Sequence, residues 1–264
     1  MRARPALLPA VALTACAVLA TGAQSTVRLA VMSSGGFTAA YAELTVLFTA
    51  DTGIELDTVY GASMGGAASS IPSRLDRGES ADVVILAREE LDQLAASGKV
   101  VPTSRVDLAT SAIGMAIREG APPPDISTVE AFTRTLLEAE SLAYSASASG
   151  TYLSTVLFPR LGIADKLADK STRVVGERVG AVVARGDAAI GFQQVSELLP
   201  IAGITYVGPI PDDLQRMTMF SAGVTTHAKA PEAAARLIAF LSSPRAAPII
   251  ARTGMTPSAG AIDP

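Results

Sequence analysis

Cysteine and histidine are almost absent from this 264-residue chain, which has Cys16 as its only cysteine and His227 as its only histidine. A single cysteine cannot form an internal disulfide, and zinc sites that need several cysteine or histidine ligands are excluded. We therefore expect no metal site and no cofactor. The chemistry of the protein has to come from hydroxyls, amides, carboxylates, arginines and backbone N–H groups.

Blocks of a single charge are also missing. The chain has 21 lysines and arginines against 25 aspartates and glutamates, which gives a net charge of −4 at pH 7. An acidic balance without a basic block argues against a nucleic-acid partner. The hydrophobic fraction of 49% is typical of a packed globular protein. The length allows one large domain or two small ones.

The one long apolar stretch lies at the N-terminus. Two arginines precede an apolar run at residues 6–20, and small residues follow up to Ala23. This pattern predicts an export signal at residues 1–23 and a periplasmic mature protein, and the run is too short for a membrane span. The tetrapeptide that ends at Cys16 also fits a lipoprotein cleavage box, which would place a lipid anchor there. Both interpretations stay open, and the apolar run beyond Cys16 favours cleavage after Ala23.

Behind the signal, short apolar runs of strand type alternate with amphipathic helical runs. We predict strands at 27–32, 54–60, 82–86, 141–144, 174–175 and 188–192, and helices at 37–50, 149–161, 179–185, 231–241 and 244–252. We also expect one extended run from Val106 to Ile117 and a helix capped by Ser127. This alternation predicts an α/β fold of parallel sheets with helices on both faces.

The order of these segments divides the chain into two lobes. We assign residues 24–108 plus 219–264 to the first lobe and residues 109–218 to the second. The chain then crosses between the lobes twice, and two crossings form a hinge beside an interlobe cleft.

Four loops share one composition, with small and hydroxyl residues between a strand and the following helix. In parallel α/β sheets these turns lie at the carboxyl ends of strands, where ligands bind. Their free backbone N–H groups and serine hydroxyls favour an anion. The loops are Ser33–Gly36, Gly61–Gly66, Ser145–Gly150 and Glu177–Gly180.

Several segments resemble the class II periplasmic solute-binding proteins, in the branch that includes molybdate-binding proteins. The matching segments are Arg74–Val83, Ser149–Tyr152, Val179–Gly186 and Ala189–Phe192. The resemblance covers nearly all of the mature chain. It implies a two-lobed, hinged periplasmic-binding-protein fold, a small anion in the cleft and an ABC permease as partner. Gln194 falls where the molybdate pattern has a tyrosine, which favours a larger ligand with carboxylates.

Three segments further resemble a subgroup that includes periplasmic aconitate isomerases. They are Gly61–Gly66, Tyr144–Ser154 and Phe192–Leu198. We favour binding of an organic di- or tricarboxylate over molybdate, for transport. The alternative that this subgroup implies is a 1,3-proton shift between cis- and trans-aconitate, with Tyr152, Glu197 or a desolvated serine as the base.

From the loops and the resemblance we predict a set of ligand-binding residues. Arg88 is included because it begins a helix at the end of a strand, where an arginine is otherwise mildly unfavourable. His227 is expected to be an ordinary surface residue. The full set is Ser33, Ser34, Gly36, Ser63, Met64, Arg88, Ser147, Ser149, Gly150, Tyr152, Val179, Gln193 and Gln194.

Overall fold

The computed structural model of the protein describes residues 27–64 and 66–258. The predicted export signal and the lipidation alternative at Cys16 lie outside the described residues. The strands are β1 Arg28–Ser34, β2 Glu55–Gly61, β3 Val83–Ala87, β4 Val106–Ser111, β5 Ile113–Arg118, β6 Leu142–Ser145, β7 Ser171–Val174, β8 Ile190–Gln194, β9 Ile204–Pro209, β10 Thr218–Val224 and β11 Thr256–Pro257.

Helices connect most of these strands. They are α1 Thr38–Thr52, α2 Ile71–Asp76, α3 Arg88–Ala96, α4 Val129–Glu138, α5 Ala148–Tyr152, α6 Phe158–Arg160, α7 Ala164–Ala168, α8 Val179–Arg185, α9 Val195–Leu198, α10 Pro231–Leu241 and α11 Ala247–Arg252. A π-helical segment at Leu153–Leu157 joins α5 to α6. No helix in the described part of the chain has the length and hydropathy needed to cross a membrane.

The strands form two separate sheets, so the predicted two-lobed α/β architecture is confirmed. The first sheet has the order β11-β4-β10-β3-β1-β2, and the second has the order β7-β6-β8-β5-β9. In the buried strand β3, Val83 and Ile85 pack into one apolar cluster while Val84 and Leu86 pack into another. Helices therefore cover both faces of the first sheet, as expected for a strand that is apolar on both sides.

The predicted parallel order holds for β1, β2 and β3, but both sheets also contain antiparallel strands. Strand β1 is parallel to β2 and β3, but β10 is antiparallel to β3 and β4, and β5 is antiparallel to β8 and β9. The reason lies in the crossings between the lobes. The parallel strands end at the junction of the two sheets, whereas β5 and β10 begin there, so these two strands run the opposite way.

The run predicted as continuous from Val106 to Ile117 is divided between the sheets. Strand β4 ends at Ser111 in the first sheet and β5 begins at Ile113 in the second, with Ala112 between them. The chain returns between β9 and β10. Strand β4 thus extends three residues beyond the predicted boundary at 108/109, and the assignment of residues to lobes stays a prediction.

Two local predictions need correction. Thr128, not Ser127, caps α4, because the Thr128 hydroxyl accepts from the Ala131 N–H at 3.1 Å. The Ser127 N–H and hydroxyl donate to Asp125 instead, at 2.9 and 2.7 Å. The helix expected at 149–161 begins one residue earlier and includes the π-helical segment.

Candidate functional site

A cavity of about 450 Å³ lies between the two sheets. Both lobes contribute to its wall. The first contributes Ser34, Gly35, Gly36, Thr38, Tyr60–Met64, Ala67, Ser69 and Phe220, and the second contributes Ser145–Ser149, Val174–Arg178, Gln193, Gln194 and Glu197.

Strand ends build most of this wall. Ser34 ends β1, Gly61 ends β2, Ser145 ends β6 and Gln194 ends β8. The carboxyl ends of parallel strands meet at one edge of an α/β sheet, which is where ligands bind in such folds. The cavity therefore occupies the place that the four small-residue loops predict.

Ser34 contributes a hydroxyl that has no hydrogen-bond partner among the described residues. The residue is 1% exposed and its Oγ is buried. Buried polar atoms are nearly always paired, so an unpaired hydroxyl on a cavity wall indicates a place where a ligand atom binds. The turn Gly35–Phe37 follows directly and leads into α1. The first N–H groups of this helical segment have no acceptor within the helix, and such groups attract an anion.

Glu197 contributes a carboxyl group to the part of the cavity wall that comes from the second lobe. Its Oε1 accepts a hydrogen bond from the Gln193 amide nitrogen at 2.9 Å. The carboxylate also lies against Gly35 of the first lobe, where any side chain would overlap it. Burial raises the pKa of Glu197 from 4.5 to about 7, while Arg178 and the Gln193 hydrogen bond act in the opposite direction. Near neutral pH this carboxyl can therefore both accept and give up a proton.

Arg178 is the cation on the cavity wall, and it precedes α8. The side chain is half-buried and forms no salt bridge within the described part of the chain. It lowers the pKa of Glu197, and it also lowers that of Tyr60, which burial raises. An unpaired guanidinium beside a cavity can bind a carboxylate through two parallel hydrogen bonds.

Glu177 lines the same cavity but is not available in this way. The guanidinium of Arg185 donates to both of its carboxylate oxygens, at 2.8 and 3.2 Å. This ion pair lies on the surface and holds the pKa of Glu177 below its usual value. Glu197 is therefore the carboxyl on this wall whose environment suits proton transfer.

The structure brings most of the predicted residues to the cavity, and it leaves five of them elsewhere. The predicted residues that line it are Ser34, Gly36, Ser63, Met64, Ser147, Ser149, Gln193, Gln194 and Glu197. Those outside its wall are Ser33, Arg88, Gly150, Tyr152 and Val179.

Arg88 and Tyr152 have partners within their own lobes. Arg88 forms a salt bridge with Asp107 at 3.0 Å, which explains a cation in the first turn of α3 without a ligand. The Tyr152 hydroxyl donates to the Leu214 carbonyl at 2.9 Å, and the residue is 8% exposed. Neither side chain is placed to act on a ligand in this cavity.

At two other positions, groups that were expected to bind the ligand form hydrogen bonds within the protein instead. The Val179 N–H donates to the Gln193 Oε1 at 2.9 Å and is not free. The Gln194 amide satisfies all its hydrogen bonds when its nitrogen faces Ser111 and Ala112 and its oxygen accepts from the Thr218 hydroxyl at 2.8 Å. Gln194 therefore joins the two crossings between the lobes.

Arg178 and Tyr60 are the functional candidates that sequence reasoning missed. Arg178 stands in one of the four predicted loops, but only the backbone of that loop was expected to bind. Tyr60 is the second-last residue of β2, so the rule that ligands bind at strand ends would have found it. Within the described residues there is no group of three or more histidine, cysteine, aspartate or glutamate side chains that could hold a metal ion.

Comparison with known sequences gives a family and a named relative. The profile of the family described as bacterial extracellular solute-binding protein matches residues 29–256. The chain is 46% identical over 253 residues to an aconitate isomerase from a Pseudomonas species, covering 95% of this chain and 97% of that protein.

Solved structures of the same fold include two oxyanion-binding proteins. The periplasmic molybdate-binding protein of Azotobacter vinelandii has a TM-score of 0.70 and 19% identity, over 86% of this chain and 98% of that one. The sulfate-binding protein SubI of Mycobacterium tuberculosis has a TM-score of 0.69 and 18% identity, over 89% of this chain and 88% of that one. At these identities the likeness concerns the fold.

Proposed function

Because the chain belongs to the family of bacterial extracellular solute-binding proteins, we propose that it acts in the periplasm on a small organic anion and interconverts cis- and trans-aconitate. The relative named aconitate isomerase, which matches over nearly the full length of both chains, supports the substrate. The observation that favours catalysis over binding alone is the position of the Glu197 carboxyl in the cavity wall. A site that only binds a polyanion gains nothing from a carboxyl group in its wall.

The size and charge of the cavity suit such a ligand. Its volume of about 450 Å³ lies in the usual range for small-molecule sites, about 300–1,000 Å³. Arg178 would bind one carboxylate, and the Ser34 hydroxyl with the N–H groups of the Gly35–Phe37 turn would bind another. These donors hold the substrate with its reacting carbons over Glu197.

The reaction needs one proton to be removed and one to be added. The Glu197 carboxylate takes a proton from the methylene carbon, and the electron pair of that C–H bond spreads over the allylic carbons and their carboxylates. The double bond thereby moves to the former methylene carbon, and the opposite terminal carbon receives a proton from the Glu197 carboxyl. Atoms and charge balance, and no oxidant or reductant is required. Arg178 and the backbone donors stabilise the negative charge that develops on the substrate carboxylates.

Binding without turnover, as the solute-binding component of an ABC transporter, is the second candidate. The match to a solute-binding family over residues 29–256 favours it. In this case the same donors would bind an organic di- or tricarboxylate, and Glu197 would remain protonated so that it does not repel the ligand. An ABC permease would then be the partner.

Proton NMR with cis-aconitate tests the proposal. The purified mature protein is mixed with cis-aconitate, and the vinylic signal of trans-aconitate is followed against a protein-free control. We expect the trans signal to grow at a rate proportional to protein concentration. Titration calorimetry with cis-aconitate, trans-aconitate and molybdate completes the test. Binding of aconitate without turnover would support the second candidate. The absence of both turnover and carboxylate binding would contradict both candidates.

A further inference from the structure

The side chain of Gln193 connects two groups beside the cavity. Its Oε1 accepts the Val179 N–H at 2.9 Å, and its Nε2 donates to Glu197 Oε1 at 2.9 Å. The residue is 4% exposed at the carboxyl end of β8, so packing holds the amide in place.

The chemistry of the partners determines the orientation of this amide. A backbone N–H can only donate, so the amide oxygen must face Val179. The amide nitrogen is then directed at Glu197 and can only donate to it. The reversed amide would place two donors together at Val179 and two acceptors together at the carboxylate. The neighbouring Gln194 has no such contact, since its partners are Ser111, Ala112 and Thr218.

The two oxygens of the Glu197 carboxylate consequently differ. Oε1 is held between the Gln193 amide and Gly35, where there is no room for a Cβ atom. Oε2 accepts no hydrogen bond from the residues that the structure describes. One oxygen is thus fixed, and the other is left for a ligand.

We propose that Gln193 is a positioning residue, which holds Oε1 of Glu197 and directs Oε2 towards the substrate proton. The identity of that proton rests on the proposed isomerase function, whereas the contact between the two side chains does not. A carboxylate with one fixed oxygen presents the other at a constant distance and angle. Proton transfer is sensitive to both, because the base must lie within hydrogen-bond reach of the carbon-bound proton.

Few other groups act on this carboxyl. Of the elements packed against α9, the loop before α8 contributes Arg178 and β8 contributes the uncharged Gln193. The Gly35–Phe37 turn carries no titratable side chain, and within the described residues neither α1 nor β5 contributes a charged group that acts on Glu197. Loss of the Gln193 amide should therefore produce a change that can be measured at Glu197 itself.

A direct titration of Glu197 tests the proposal without any turnover. The carboxyl carbons of glutamate are labelled with ¹³C, and the Glu197 signal is assigned by its absence in Glu197→Gln. We expect Gln193→Met to raise the midpoint of this titration by about one pH unit, because the hydrogen bond that favours the carboxylate is lost. Gln215→Met is the matched control, since the Gln215 amide binds the backbone of Ile113 away from the cavity. Its midpoint should equal that of the wild type.

Kinetics supply the second readout. In Gln193→Met we expect kcat to fall about 10- to 100-fold, with a smaller change in KM, and the acid limb of the pH profile to move up with the NMR midpoint. Gln193→Glu serves if the methionine variant does not fold. Its carboxyl can donate to Glu197 only when protonated, so the midpoint should rise in this variant too.

An unchanged midpoint in both Gln193 variants would overturn the positioning role. If the midpoint moves but the wild type shows no turnover, the contact stands and the proposed isomerase function fails. If the wild type turns over and neither the midpoint nor kcat changes in the variants, the positioning role fails while the proposed function stands.

Discussion

Single residues explain why one carboxyl in this cavity differs from the others. Glu177, for example, lies on the surface in an ion pair with Arg185. Glu197 is instead partly buried in the cavity wall, its amide partner is neutral, and the charged group that acts on it is Arg178. Loss of hydration disfavours the charged form more than these two groups favour it, so the pKa rises.

The pH dependence of turnover follows from this shift. If Glu197 is the base, only its ionised form is active, and that form accumulates as the pH rises through about 7. We predict that kcat/KM for cis-aconitate increases with pH and levels off above about pH 8. An initial-rate series between pH 5 and pH 9 measures this. An acid limb near pH 4.5 would mean that the group is not shifted in this way.

Arg178 is the side chain whose loss should weaken binding most. In Arg178→Met the aliphatic part is kept while the two donors to a substrate carboxylate are lost, so we predict aconitate affinity about 10- to 100-fold weaker. Arg134→Met is a matched control, because Arg134 is exposed on α4 and its ion-pair distance to Asp125 is 4.0 Å. Calorimetric titration of both variants decides. If Arg178→Met and Arg134→Met bind aconitate equally well, Arg178 does not bind a carboxylate of the substrate.

At the scale of elements, hydrophobic periodicity predicted the helices and strands that bury one or two apolar faces. The helix at Pro231–Leu241 and the strand at Val83–Ala87 are examples. Strand β9 was missed because Ile204–Pro209 is short and ends in Gly-Pro, which is typical of a turn. The break at Ala112 was missed because the chain stays extended there, so no turn residue marks the change of sheet.

Individual contacts in the site could be predicted less well than its location. Ser34, Ser63 and Ser149 of the small-residue loops do lie on the cavity wall. Which group a polar side chain binds depends on distances that only the folded chain sets. The Val179 N–H donates to the Gln193 amide oxygen, although both groups had been expected to contact the ligand.

The close approach of α5 to the end of β6 leaves no room for a side chain at position 150. A Cβ at Gly150 would overlap the backbone carbonyl of Ser145. We predict that Gly150→Ala lowers the free energy of unfolding by about 1–3 kcal/mol, because backbone must move. Gly180→Ala in α8 is the control, since its Cβ would meet the side chain of Ile201 at 3.0 Å, which can shift. Urea denaturation of the two variants should separate them, and equal stabilities would contradict the packing argument.

For the whole molecule, the relation between the two sheets depends on a small number of polar contacts. Gln194 joins the two crossings, and the Ser196 hydroxyl donates to the Gly36 carbonyl at 2.6 Å. Arg216 adds a third contact. Its guanidinium donates a hydrogen bond to Glu89 of α3 at 3.1 Å and lies 5.6 Å from the centre of the Tyr152 ring.

Removal of the Arg216 contact with Glu89 should weaken the association of the two lobes. Both charged groups are about half-exposed, so their pairing is worth at most about 1 kcal/mol. We predict that Arg216→Ala raises KM for aconitate by less than about fivefold and leaves kcat nearly unchanged. Arg88→Ala is the control, because its salt bridge with Asp107 lies within the first lobe. A large fall in kcat would indicate that Arg216 contacts the substrate.

The most direct test of the central claim is the rate of trans-aconitate formation by the wild-type protein and by Glu197→Gln, measured by proton NMR at pH 8. The amide has nearly the same shape but cannot accept the proton. We predict that turnover falls at least about 100-fold while aconitate still binds. Glu130→Gln, the same change on the exposed first turn of α4, should match the wild type. If Glu197→Gln forms trans-aconitate as fast as the wild type does, the assignment of Glu197 as the base is contradicted.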